Sequence, residues 1–174
     1  MLLATASLAL AGVAAFALQH EIRLSGSART PRVTVERAQP PALTAEEERY
    51  ALALWEIQRQ VIPAAVAMSY AGISFKMDGG VVEDLRRKIE PPAEFFREAA
   101  VRARAMHPPD SMLAVHRQYV EAMGLYSRAA DKMLNYTGTG QDQDLVEAQS
   151  LSIAASENTL RVGDVLWPGH YRPH

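Results

Sequence analysis

Between residues 44 and 166 the apolar side chains recur at steps of three and four, and the alternation expected of strands is nearly absent. Tyr50, Leu54, Ile57, Val61, Ala64 and Met68 form the first such series, the inner face of a long amphipathic helix. Its start is marked by "TAEE" at residues 44–47, a capping box in which the Thr44 hydroxyl and the Glu47 carboxylate satisfy orphan amides. Pro63 lies inside the series and is expected to kink the helix, and "MDGG" at 77–80 to end it. Val82, Leu85 and Ile89 mark a short second helix, which Pro91 and Pro92 are expected to stop. A third helix follows with Phe95, Phe96, Ala99, Ala103 and Met106 inward, and "HPP" at 107–109 turns the chain. Met112, His116, Tyr119, Met123, Tyr126, Ala130 and Met133 then keep heptad spacing up to "TGTG" at 137–140. Asp144 is expected to cap the last helix, whose apolar residues are Leu145, Ala148, Leu151, Ala155, Val162 and Leu166. The expected fold is all-α: an antiparallel bundle of about four helices, plus the short one.

Two segments flank this domain. Residues 1–19 contain an uncharged, apolar run from 2 to 18, about 17 residues that would rise about 26 Å as a helix. Such a run can be a membrane anchor, a cleaved leader or a packed helix. The lack of a basic residue before it argues against a leader and for an N-terminal transmembrane helix in the lipid bilayer. Ser7, Ala11 and Ala15 form a small-xxx-small row that would let a second helix approach closely in lipid. Residues 20–43 read as an extended, Pro-rich linker, with Pro31, Pro40 and Pro41 blocking helix. Arg23, Arg29, Arg32 and Arg37 follow the run, which by the positive-inside rule places the domain in the cytoplasm. An apolar run opening the chain is instead the geometry of export, and the extracytoplasmic, periplasmic side is the expectation retained.

Chemistry-bearing patterns are few. The net charge of −2 gives no basic surface for nucleic acid. The absence of cysteine excludes disulfides, thiolate metal sites, covalently attached haem and a lipidated cysteine. His116, on an apolar face beside Met112 and Met123, is a candidate haem ligand or a hydrogen-bonded core histidine. Tyr119 and Tyr126 are expected to place their hydroxyls at the bundle edge. Asp142, Asp144 and Glu147 raise calcium, but they miss the EF-hand spacing and suit a helix start. "TGTG" lacks the ending of a phosphate loop, and no Glu-x-x-His pair or Ser/His/Asp set stands out. No catalytic residue, metal or cofactor is expected.

The tail at 167–174, "WPGHYRPH", cannot be helical yet carries two aromatics. Trp167 and Tyr171 are expected either to cap the bundle or, with Arg172, to hook a partner protein, since these residue types dominate interface energetics.

"PPAEFFREAAVRARAMHPPDSMLAVHRQYVEAMGLYSRAA" resembles bacterial exported helical proteins, through Pro91, Pro92, Pro108, Pro109, His116, Tyr119 and Tyr126. The resemblance implies extracytoplasmic residence and no particular activity. The expected role is a non-enzymatic accessory subunit docking onto a larger membrane protein complex, respiratory or photosynthetic, with interface residues Ser7, Ala11, Ala15, Trp167, Tyr171 and Arg172. The alternative is a ligand- or haem-binding bundle centred on His116.

Overall fold

The structure, a computed structural model, describes residues 42–168. The apolar run with Ser7, Ala11 and Ala15, the linker up to residue 41, and Tyr171 and Arg172 lie outside the described residues. Within them the chain forms α1 (Ala45–Asp78), α2 (Val82–Ala105), a single 3-10 turn (Asp110–Met112), α3 (Leu113–Thr139) and α4 (Asp142–Leu166). No strand occurs among the described residues, so the all-α expectation holds there. No helix among them is long and apolar enough to cross a membrane.

The capping box forms as the sequence predicts: Thr44 accepts from the Glu47 amide at 3.3 Å, and the Glu47 carboxylate accepts from the Thr44 amide at 2.7 Å. Gly79 ends α1 in the left-handed region at φ 63°, and Gly140 ends α3 at φ 66°, where a Cβ would be strained. α1 continues through Pro63, an exposed position at which the lost amide leaves only the Arg59 carbonyl to water.

Three expectations need correction. The short second helix and the third are one, because α2 runs through both Pro91 and Pro92. Its buried face explains why: Leu85, Ile89, Pro92, Phe96, Ala99 and Ala103 keep a three-four rhythm across the prolines. Stopping there would have exposed half of that face. The carbonyls deprived of donors belong to Arg87 and Lys88, both at exposed positions where water can solvate them. Asp144 does not cap α4. The cap position is Gln141, without a side-chain hydrogen bond, and Asp144 instead accepts from the Thr139 hydroxyl at 3.0 Å. Tyr119 and Tyr126 do not reach the edge. Tyr119 is fully buried, and Tyr126 stacks on Phe96 with centroids 4.6 Å apart.

Packing follows side-chain size. α3 meets α2 and α4 most extensively, through alanines that let axes approach: Ala93, Ala99 and Ala103 of α2, Ala122, Ala129 and Ala130 of α3, Ala148 and Ala155 of α4. α1 packs mainly on α2 and reaches the other two helices through larger groups. Tyr50 meets His116 at one end of α3, Phe75 meets Tyr136 at the other, and Trp55 meets Trp167 beyond α4. α1 and α3 therefore run in the same direction, with α2 and α4 reversed between and after them. Beside Phe75, Gly72 leaves room for the end of the Met133 side chain, whose Cε would stand 2.9 Å from a Cβ at that position.

Candidate functional site

Among the described residues, His116, Asp142, Asp144 and Glu147 each bond within the fold. His116 is half-buried, and its Nδ1 lies 2.9 Å from the Tyr50 hydroxyl in a hydrogen bond whose direction depends on the imidazole tautomer. Burial pushes the Tyr50 phenol up to about 12 and lowers the His116 pKa below the ordinary histidine value. Both shifts favour the neutral forms. The pair ties the start of α1 to the start of α3, beside the Ser111 hydroxyl that donates to Glu47 at 2.6 Å. Those bonds from Ser111 and Thr44 hold the Glu47 carboxyl below its usual range.

At the opposite end the acidic group is committed to lysines. Asp142 pairs with Lys76 at 2.5 Å, and Lys132 lies 2.7 Å from Glu147 and 3.4 Å from Asp144. The bond from Lys132 lowers the Glu147 pKa, and Glu147 and Asp144 together raise that of Lys132. Arg128, Asp131, Lys132, Asn135, Gln143 and Glu147 help to line an open surface groove of about 540 Å³ between α3 and α4. Its Lys132, Gln143 and Glu147 already bond within the protein. Among the described residues no three His, Asp or Glu side chains converge as a metal site would require.

Trp167 is the one tail residue of the expected interface that is described. It is 8% exposed and packs edge-to-face on Trp55, so it offers a partner little area of its own. This is the position of a bundle cap.

The unsatisfied surface lies elsewhere. α1 is apolar on two faces. One supplies Tyr50, Leu54, Ile57, Val61 and Met68 to the core. The other carries Leu52, Ile62, Val66, Tyr70, Ile73 and Met77, exposed by 66, 50, 60, 68, 38 and 78%. Half-buried Trp55 extends this second stripe at the same three-four spacing, and Arg59 is the only charged residue within it. Six aliphatic and aromatic groups in one row exceed the scattered apolar exposure of an ordinary surface. The sequence carried the signal, since residues 52, 55, 62, 66, 70, 73 and 77 keep helical period beside the core series. A search for one amphipathic face per helix passes over it, because the second stripe shares the helix with the first.

Comparison of the chain with protein families, curated proteins and solved structures finds no match to any of the three.

Proposed function

We propose that this protein is a non-enzymatic accessory subunit, anchored in a membrane by residues 2–18, whose helical bundle docks through the outer face of α1 onto another folded surface of a larger membrane protein complex. The observation that carries this reading is the exposed stripe from Leu52 to Met77 on a helix whose other face already fills the core. An apolar row of this length is costly to leave in water and gains free energy when covered. The polar candidates support the same reading, because Tyr50, His116, Lys132, Asp144 and Glu147 serve contacts between helices. Residence on the extracytoplasmic side accords with the resemblance to exported helical proteins.

The test is native electrophoresis of detergent-solubilised membranes from cells making the full chain or its Ile62→Glu, Tyr70→Glu variant. The expected result is that both chains stay in the membrane fraction with unchanged helicity, while the variant leaves the high-mass band. Retention of the variant in that band would refute docking through this face. Release of the wild-type chain from membranes by carbonate would refute the anchor.

A further inference from the structure

We propose that the partner covering the outer stripe of α1 is a second copy of this chain, packed antiparallel, α1 against α1. The proposal rests on the reading of this stripe as a docking face and adds to it the identity of the occupant. Area is the first argument. Six side chains exposed by 38–78% retain on the order of 100 Å² apiece. With Trp55 and the flanking stems, the face approaches the ~800 Å² per partner that a standard interface buries.

Self-complementarity is the second argument. In an antiparallel seam a residue and its opposite number have a constant sum of positions. A sum near 128 sets Ile62 against Val66 of the second copy, Trp55 against Ile73, and Leu52 against Met77, with each pair repeated by the two-fold axis. The same register sets Arg59, the sole charge in the stripe, against Tyr70 of the second copy, where a guanidinium can lie over the ring. In a parallel pair Arg59 would face its own copy, charge against like charge. Arg59 is free to move, since its bond to Glu56 is an exposed surface pair of little strength.

The chain has no cysteine, so introduced thiols report the register without background. Full-length Ile62→Cys and Val66→Cys variants would be purified in mild detergent, mixed or kept apart, and oxidised. The expected result is a disulfide dimer in the mixture and little in either variant alone, and the same for Leu52→Cys mixed with Met77→Cys. Efficient self-coupling of Val66→Cys alone would overturn the antiparallel register. Sedimentation of the full chain would supply the second measurement, with a dimer expected for the wild type and a monomer for Val66→Glu. A dimer that survives Val66→Glu is held by other residues and overturns the proposal. A monomeric wild type overturns it too, and the native-gel test then separates the two readings: loss of the high-mass band on Ile62→Glu, Tyr70→Glu would leave docking to a different protein standing.

Discussion

The indoles of Trp55 and Trp167 meet edge-to-face with centroids 5.1 Å apart, joining the third turn of α1 to the residue that ends α4. The contact holds the last helix against the first, two elements that otherwise share few residues. Its geometry favours the positive edge of one ring against the negative face of the other.

Trp167→Ala should therefore destabilise the bundle by about 3 kcal/mol, the order seen when a large buried aromatic is truncated. Urea unfolding followed by circular dichroism would measure it. In a double-mutant cycle, Trp55→Ala and Trp167→Ala should couple by about 0.5–1.5 kcal/mol. A neutral Trp167→Ala would show that the chain end does not cap the bundle.

Gln58 offers a change of opposite sign. It is 1% exposed, and neither its Oε1 nor its Nε2 has a hydrogen-bond partner among the described residues. A buried amide left in that state costs about 1–3 kcal/mol. Gln58→Met keeps the length of the side chain and removes both polar atoms, and should raise stability by a similar amount. A lower urea midpoint for this variant would mean that the amide contributes to the fold.

The helices were legible because their apolar rhythm is strong, and the starts and ends followed from Thr44, Gly79 and Gly140. Local rules give way where a longer pattern competes with them. Pro91 and Pro92 break helices by their lost amides, yet the stripe from Leu85 to Ala103 is satisfied only if the helix continues. Asp144 is a good capping residue by type, but Lys132 and Thr139 take its oxygens. His116 was identifiable as a polar residue on an apolar face. Its partner Tyr50 stands 66 positions away on another helix, and a single sequence gives no sign of that pairing. The outer stripe of α1 was present in the sequence in full; only the structure shows that nothing in residues 42–168 covers it.

Gly124, inside α3, and Gly140, at its end, should respond to alanine in opposite directions. Gly124 lies inside α3, and a Cβ there would meet only an Arg104 guanidinium nitrogen, at 3.9 Å. Gly124→Ala should raise stability by about 0.5–1 kcal/mol, because glycine loses more backbone freedom in a helix. Gly140 has open space but φ 66°, so Gly140→Ala should cost about 1–2 kcal/mol. Thermal unfolding of both variants would test the pair, and equal signs would contradict the backbone assignment of one of them.

The Tyr50–His116 contact predicts a pH dependence with a definite sign. Burial disfavours imidazolium, so the folded pKa of His116 lies below its unfolded value of about 6.5. Between the two values the unfolded chain binds more protons than the folded one, and stability rises with pH. The contribution is complete above the unfolded value and is lost as pH falls through the folded one. That window stands apart from the carboxylates of Glu47 and Glu147, whose pKa values are held below 4.5 by their hydrogen bonds. Urea midpoints measured from pH 7.5 down to 5, values chosen to bracket the histidine range, should fall on acidification for the wild type. His116→Gln should flatten that slope while retaining a hydrogen bond to Tyr50. Tyr50→Phe should lower stability by about 1 kcal/mol at every pH and keep the slope, since burial of the imidazole, rather than the bond, sets the shift. A slope unchanged in His116→Gln would place the titrating group elsewhere. A slope that vanishes in Tyr50→Phe would make the hydroxyl, and not burial, the cause.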